Sequence, residues 1–219
     1  KKYFENKKNF SKKVSSIRNW LYFKRKDGSK FNKFFKMVKK KTCVFISGHG
    51  SNLKNLIYRS RDNNFPIKIS LVISNNKNAK GISYAKKYNI PYFLINTKIH
   101  NYEKIILFYL KKYEISFICL AGYMKIISNF LIKNYPKKII NIHPSLLPKF
   151  KGLNTFSRML KKKEIKAGCT VHFVNNKLDS GRVIVQKFFY ISNYDNESTL
   201  KEKTQKLEYK AFPEAIIKI

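Results

Sequence analysis

An amide and an imidazole stand two residues apart in the segment Asn141–Pro148, directly after two isoleucines. The apolar residues predict a buried strand, and side chains alternate faces along a strand, so Asn141 and His143 project to the same side. Acyl transfer needs such a pair, because a neutral donor stabilises a developing oxyanion while a titratable group moves protons. The same pattern fits a strand with a hydrogen-bonded histidine and a Pro-rich turn, and the segment alone does not decide between them.

Two glycines flank His49 where the first predicted strand meets the first predicted helix. Glycine allows a tight turn and close backbone approach, and a helix N-terminus offers free N–H groups to an anion. Gly50, Ser51 and Asn52 are therefore candidates for binding an anion. The segment is neither a dinucleotide fingerprint nor a Walker loop, since Leu53 occupies the third glycine position and no Gly-Lys-Ser/Thr follows. An ordinary turn with Ser51 as the N-cap is the alternative.

Small residues precede an apolar stretch at the end of the fourth predicted strand. Ala121 and Gly122 would let a flat ligand approach the backbone, and Met124, Ile126 and Ile127 would line a slot for an aromatic ring. Core packing at a strand end explains the same residues.

A carboxylate follows the predicted strand that carries His172. Asp179 lies in a Leu-Asp-Ser-Gly sequence, where an ordinary turn is the simplest explanation. A carboxylate close to an imidazole favours its charged form and raises its pKa. His172 alternates with apolar residues and is predicted to be structural, whereas His49 and His100 are assigned no role.

The elements that would position these residues alternate along the chain from Thr42 onward. The patterns predict strands at 42–47, 67–74, 91–96, 115–121, 139–143, 167–174 and 182–190. They predict helices at 51–61, 79–88, 102–113, 129–134, 154–161 and 199–218. This alternation predicts an α/β fold with a Rossmann-like, mostly parallel sheet flanked by helices. Because no helix separates the last two strands, we expect an antiparallel edge near the C-terminal half.

The formal charge of +35 would suit a protein that binds polyanions. However, only six of the 47 basic residues are Arg, and the excess of Lys accompanies many Asn, Ile, Phe and Tyr. The charge is therefore interpreted as a compositional bias spread over solvated surfaces. Any contact with nucleic acid is expected to be non-specific.

Composition also changes near residue 41. Residues 1–41 hold 16 basic residues and two acids without a clear hydrophobic period. We therefore predict a basic N-terminal extension at 1–40 and one catalytic domain at 41–219. No apolar run is long enough to span a membrane, and the Lys-rich start lacks the apolar segment of a secretory signal. Three cysteines in predicted strands suit reduced thiols, so we expect a cytoplasmic protein without membrane contact.

The segment Asn141–Pro148 resembles the signature of the folate-dependent formyltransferases. Further stretches match in the same order: Ile46–Leu53, Leu120–Ile127, and Gly168–Val174 followed by Leu178–Gly181. From about Lys41 onward, the chain most resembles the branch that formylates phosphoribosylglycinamide in de novo purine (IMP) biosynthesis. The resemblance implies the formyltransferase fold and 10-formyltetrahydrofolate as a cosubstrate. It implies neither a metal nor a tightly bound cofactor.

The resemblance also implies roles for individual residues. Asn141 and a protonated His143 would stabilise the tetrahedral oxyanion, and Asp179 would support the charged imidazole and order a water. The phosphate of the glycinamide substrate would contact Gly50, Ser51 and Asn52. On one face of the last helix, Gln205 and Glu208 would contact its ribose and phosphate. The folate would contact Met124, Lys125, Ile126, Ile127 and Asn141.

Three alternatives remain besides this branch. A methionyl-tRNA formyltransferase would show Arg-Gly-Ala-Ala-Pro-like residues after Leu-Leu-Pro and a further C-terminal domain. A formyltetrahydrofolate deformylase would have a second His in place of Pro144 and an N-terminal ligand-sensing domain. An inactive, basic RNA-binding relative would not need to retain Asn141, His143 and Asp179. The sequence leaves open whether the protein is a monomer or a homodimer.

Overall fold

The structure is a computed structural model that describes residues 38–219. In this part of the chain the strands are β1 (Lys40–Ile46), β2 (Ile67–Ser74), β3 (Tyr92–Leu94), β4 (Phe117–Leu120), β5 (Ile139–His143), β6 (Lys166–Phe173) and β7 (Val183–Tyr190). The helices are α1 (Ser51–Ser60), α2 (Ile82–Lys87), α3 (Tyr102–Lys112), α4 (Asn129–Asn134), α5 (Thr155–Lys161) and α6 (Glu197–Ile217). Each predicted strand and helix is present, with small shifts at the ends. The predicted extension at 1–40 lies almost wholly outside the described residues, so the domain boundary stays a prediction.

The strands form one sheet in the order β3-β2-β1-β4-β5-β6-β7. The first five strands of the chain pair in parallel. The strand β6 pairs antiparallel with β5, and β7 pairs antiparallel with β6. The predicted fold class, a mostly parallel sheet with an antiparallel edge, is confirmed.

Two apolar clusters cover the opposite faces of the sheet, and β1 contributes to both. Val44 packs in the first cluster with apolar residues of α1, α2 and α6. Phe45 packs in the second with residues of α3 and α4. Burial on both faces explains why the central strands read as continuous apolar runs. The free thiols of Cys43, Cys119 and Cys169 are buried within these strands.

The long helix α6 begins earlier than the sequence pattern predicts. The side chain of Asn196 accepts hydrogen bonds from the N–H groups of Ser198 and Thr199, and Thr199 Oγ1 accepts one from the N–H of Asn196. This capping box satisfies N–H groups that the helix itself leaves free. The helix packs against β6, β7 and α1, so its polar residues meet the start of α1.

The described helices include none with both the length and the apolar character that crossing a bilayer requires.

Candidate active site

The carboxyl end of β5 carries the first polar group of the site. Asn141 and His143 lie on one face of the strand, and the antiparallel partner β6 places His172 opposite Asn141 and Thr170 opposite His143. Asn141 is half-buried, whereas His143 and His172 are buried. A structural role was predicted for His172, but the strand pairing brings its ring into the same cluster as the two predicted residues.

Asp179 completes this cluster from the connection between β6 and β7. Its Oδ2 lies 3.4 Å from His143 Nδ1. Its Oδ1 lies 3.4 Å from Asn141 Nδ2 and 3.6 Å from His172 Nε2. The residue has a φ of 45°, a left-handed conformation that Asp adopts more readily than most residues. The three predicted catalytic residues therefore lie together, and their chemical roles stay predictions.

Backbone carbonyls orient both imidazole rings. His143 Nε2 lies 2.8 Å from the carbonyl oxygen of Phe150, and His172 Nδ1 lies 2.8 Å from that of Phe173. A carbonyl oxygen only accepts, so each of these nitrogens is the donor. His172 Nε2 lies 3.3 Å from Asn141 Nδ2 and 3.6 Å from Asp179 Oδ1, while His143 Nδ1 faces Asp179 Oδ2.

Burial and neighbouring groups shift the pKa values of His143 and Asp179. Burial lowers the pKa of His143, and this effect outweighs the carbonyl of Phe150 and the charge of Asp179, which both raise it. The imidazole is therefore harder to protonate than a free one, and the expected role of a protonated His143 during the reaction stays a prediction. Burial acts to raise the pKa of Asp179, but His172, the N–H of Gly152 and His143 together hold it below its usual value. The surroundings thus disfavour the charged form of the imidazole and favour the ionised form of the carboxylate.

Thr170 holds the loop that follows His143. Its hydroxyl donates to the carbonyl of Ser145 over 2.6 Å and accepts from the N–H of Leu147 over 3.1 Å. Gln186 Nε2 donates to the carbonyl of Leu147 over 2.8 Å and to Thr170 Oγ1 over 2.9 Å. The antiparallel strands β6 and β7 therefore hold the loop after β5 in place, in addition to the residues that lie opposite Asn141 and His143.

The turn between β1 and α1 has the form expected of an anion-binding loop. Gly50 is the N-cap of α1 with a φ of 74°, and no side chain caps the N–H groups of this helix start. These groups are free to bind an anion. Ser51 is the first helical residue, so the alternative with Ser51 as the N-cap is wrong. A Cβ on Gly50 would lie 2.4 Å from Gly81 Cα, which shows that the two backbones are in contact.

The helix α6 brings its predicted polar residues to this turn. Gln205 Nε2 donates to Ser51 Oγ over 2.9 Å. Asn52 Nδ2 donates to Glu208 Oε2 over 2.8 Å. Burial raises the pKa of Glu208 to about 6, against the opposing effect of the Asn52 hydrogen bond. Five predicted binding residues from the two ends of the domain therefore form one group: Gly50, Ser51, Asn52, Gln205 and Glu208.

The predicted folate-binding segment follows β4, and its side chains differ in their exposure to solvent. Met124, Lys125 and Ile126 are exposed, whereas Ile127 packs in the second apolar cluster. The N–H of Met124 donates to Ser47 Oγ over 2.8 Å. This N–H is therefore already bonded within the protein, and the predicted contacts of the segment with folate stay a prediction. The contact also ties the end of β1 to the segment after β4.

A family model described as formyl transferase matches residues 40–216, nearly all of the described chain. The chain belongs to the formyl transferase family.

Relatives of this formyl transferase include enzymes of closely similar length. The phosphoribosylglycinamide formyltransferase of Bacillus subtilis is 36% identical over 181 residues, which cover 81% of this chain and 93% of the relative. The enzyme of the same name from Haemophilus influenzae is 39% identical over 178 residues, covering 80% and 84%. The human trifunctional purine biosynthetic protein adenosine-3 is 38% identical over 196 residues, which cover 87% of this chain but 19% of that protein.

Solved structures agree with these sequence relationships. The phosphoribosylglycinamide formyltransferase from Brucella melitensis superposes with a TM-score of 0.78 at 36% identity, covering 82% of this chain and 94% of the other. The enzyme from Bacillus halodurans gives a TM-score of 0.78 at 31% identity, covering 81% and 93%.

The described part of this formyl transferase contains no group of three His, Cys, Asp or Glu residues placed to hold a metal ion. The polar side chains of β5, of β6 and of the connection after β6 pair with one another and with backbone groups.

Proposed function

We propose that this formyl transferase moves the formyl group of 10-formyltetrahydrofolate to the amine of N1-(5-phosphoribosyl)glycinamide in de novo purine (IMP) biosynthesis. The convergence of Asn141, His143 and Asp179 at the sheet edge that also carries the anion-binding turn after β1 and the exposed apolar segment after β4 carries the proposal. The relatives named phosphoribosylglycinamide formyltransferase support the choice of substrates. The folate is a cosubstrate, and the reaction uses no tightly bound cofactor.

The anionic substrate binds between α1 and α6. Its phosphate accepts hydrogen bonds from the uncapped N–H groups at Gly50–Asn52, where the helix dipole also favours negative charge. Its ribose contacts Glu208 and Gln205, which α6 already holds against Asn52 and Ser51. The formal charge of +35 attracts both anionic substrates to the surface.

The folate binds at the segment after β4. The exposed side chains of Met124 and Ile126 cover the pterin ring, and Lys125 lies where it attracts the negative glutamate of the cosubstrate. The backbone of Ile127 and the amide of Asn141 supply hydrogen bonds, whereas the N–H of Met124 remains bonded to Ser47. The formyl carbon then lies beside Asn141.

The amine attacks the formyl carbon, and the carbonyl oxygen becomes an oxyanion. Asn141 Nδ2 now makes two long contacts, of 3.3 Å to His172 and 3.4 Å to Asp179, and these weak bonds yield readily to the oxyanion. A proton leaves the attacking amine through His143 or a water held by Asp179. It reaches N10 of the folate, and the bond between N10 and the formyl carbon breaks. An imidazolium formed at His143 Nδ1 is stabilised by Asp179 at 3.4 Å.

We expect this reaction in the cytoplasm, where the buried free thiols of Cys43, Cys119 and Cys169 suit a reducing compartment.

A formyl-transfer assay tests the proposal. The purified full chain is incubated with 10-formyltetrahydrofolate and glycinamide ribonucleotide, and both tetrahydrofolate and the formylated product are measured. We expect the two products in equal amounts, and strongly reduced amounts with Asn141→Ala. Release of formate without formylated ribonucleotide would instead support a deformylase. Formylation of methionyl-tRNA alone would support the tRNA-directed alternative.

A further inference from the structure

Arg158 lies on α5 and holds the loop between β5 and α5. Its Nη1 donates to the carbonyl of Lys151 over 2.7 Å and to that of Leu153 over 3.0 Å. Its guanidinium carbon lies 5.5 Å from the centre of the Phe150 ring. A planar guanidinium with fixed donor directions restrains two carbonyls more tightly than a flexible ammonium does. One side chain therefore contacts three of the four residues 150–153.

The same short loop supplies the backbone groups that touch the catalytic pair. The carbonyl of Phe150 accepts from His143 Nε2 over 2.8 Å, and the N–H of Gly152 donates to Asp179 Oδ2 over 2.8 Å. These two groups stand on either side of Lys151. The orientation of the imidazole and that of the carboxylate therefore both depend on the path of residues 150–152.

This path is one that the backbone does not adopt by preference. Phe150 has a φ of 54°, which is unfavourable for a bulky residue with a Cβ, and Gly152 has a φ of 76°. Such conformations persist only where surrounding contacts impose them. The hydrogen bonds from Arg158 are contacts of that kind, because they fix the carbonyls of Lys151 and Leu153.

We propose that Arg158 is a positioning residue for formyl transfer, which acts through the carbonyls of Lys151 and Leu153 to hold His143 and Asp179 in their working orientations. The catalytic part of this inference rests on the proposed function. The hydrogen bonds of Arg158 reach the backbone of the loop rather than the catalytic side chains. Sequence patterns gave no indication of this role, because Arg158 matches no catalytic motif and lies 15 positions after His143.

Two substitutions separate the positioning role from the charge. Arg158→Met removes the donors and the charge, whereas Arg158→Lys keeps the charge and removes the fork. Four groups influence protonation of His143: the carbonyl of Phe150 and the charge of Asp179 raise its pKa, while His172 and Arg158 lower it. The Lys variant keeps the charge but loosens the loop contacts of His143 and Asp179, so both effects that raise the pKa of His143 weaken and this pKa should fall.

Lys162→Met is the matched control. The ammonium of Lys162 lies 6.0 Å from the centre of the same Phe150 ring, so the control also removes a cation beside that ring. It leaves the Arg158 bonds to the two carbonyls in place. We expect kcat to fall about 10- to 100-fold in Arg158→Met, with both KM values within about twofold of wild type. The kcat of Arg158→Lys should lie between that of Arg158→Met and that of the wild type. The kcat of Lys162→Met should match that of the wild type.

Nuclear magnetic resonance provides a measurement that does not depend on the reaction. The ring signals of His143 and hydrogen exchange of the Gly152 amide are followed in the wild type and in all three variants. Altered His143 signals and faster Gly152 exchange in both Arg158 variants, but not in Lys162→Met, support the positioning role. They do so even if the wild type transfers no formyl group, which would overturn only the proposed function.

Two outcomes would overturn the inference. One is a folded Arg158→Met protein with wild-type kcat, His143 signals and Gly152 exchange. The other is a loss of kcat that follows the loss of thermal stability while the pKa of His143 in Arg158→Lys stays unchanged, since Arg158 would then be merely structural.

Discussion

A hydrogen bond of 2.8 Å joins Asn52 Nδ2 to Glu208 Oε2, although 156 positions separate the two residues in the sequence. It links the first turn of α1 to the middle of α6. Burial at this contact raises the pKa of Glu208 to about 6. The group proposed to hold the ribose is therefore also a group whose ionisation opposes folding.

Replacing Glu208 by Gln should stabilise the protein near neutral pH. The folded-state pKa of about 6 lies above the unfolded value of 4.5, so the protonated form is favoured by folding. The wild type is therefore most stable, with respect to this group, below pH 4.5 and loses that stability as pH rises through 6. We expect Glu208→Gln to gain up to about 2 kcal/mol at pH 8 relative to pH 4. Urea unfolding of both proteins at the two pH values measures this gain. The raised pKa would be contradicted if the two proteins differed in unfolding free energy by the same amount at both pH values.

Gly50 and Gly48 should respond differently to alanine. A Cβ on Gly50 meets Gly81 Cα at 2.4 Å and must adopt a φ of 74°, whereas a Cβ on Gly48 meets no atom within 4 Å. We expect Gly50→Ala to lose about 2–4 kcal/mol of unfolding free energy. Gly48→Ala should stay within about 1 kcal/mol of wild type. Chemical denaturation measures both, and similar losses for the two variants would contradict the backbone contact with Gly81.

Replacing Asp179 by Asn should shift the acidic limb of the kcat profile to lower pH. Activity is lost as pH falls through the pKa of His143, because the proposed mechanism starts from the neutral imidazole. Asp179 raises that pKa, so its removal lowers the pKa and moves the limb downward. We expect kcat itself to fall about 10²- to 10⁴-fold, since the imidazolium loses its counter-charge.

The control for this pH profile is Asp195→Asn, which neutralises another carboxylate with a lowered pKa at the start of α6. It should leave the limb unmoved. An unshifted limb in Asp179→Asn would mean that His143 does not determine the acidic limb.

Asn141→Ala and His143→Ala should not act independently. Loss of an oxyanion donor lowers kcat about 10²–10³-fold, and loss of acid–base catalysis about 10²–10⁴-fold. Because both side chains act on one intermediate, the double variant should lose less than the product of the single losses. Rapid-quench kinetics with calorimetric binding of both substrates measures this. Variants that bind both substrates but turn over within about threefold of wild type would refute the mechanism.

The predicted boundary near residue 41 leads to a truncation experiment. The family match begins at residue 40, and β1 begins at Lys40. A chain that starts at Met37 should therefore fold and keep most of its kcat. The assay compares it with the full chain, and a soluble but inactive product would mean that residues 1–36 contribute to the site.

Local patterns sufficed for the elements and for part of the site. The period of two along Ile139–His143 placed Asn141 and His143 on one face, and the structure confirms this placement. Alternating strands and helices predicted the parallel sheet, because each pattern lies within one element. The start of α6 was missed by two residues, since the sequence pattern shows the apolar period but not the Asn196 cap.

Long-range contacts account for what the sequence could not predict. His172 joins the cluster only through its register with Asn141 across β5 and β6. The lowered pKa of His143 follows from burial, which no motif encodes. No sequence pattern links Gly81 to the turn after β1, which Gly81 contacts through Gly50. The resemblance to known enzymes had already placed Asp179 beside His143, which spacing alone could not do.

Because the antiparallel strands β6 and β7 come late in the chain, the proposed site is completed late during translation. Four parts of the proposed site precede β6: the turn after β1, the segment after β4, Asn141 and His143. Asp179 and the polar residues of α6 follow β6. A nascent chain that has emerged only as far as α5 therefore carries the imidazole without its carboxylate. On the proposed roles, a nascent chain reaches full turnover only after Asp179, Gln205 and Glu208 have all emerged.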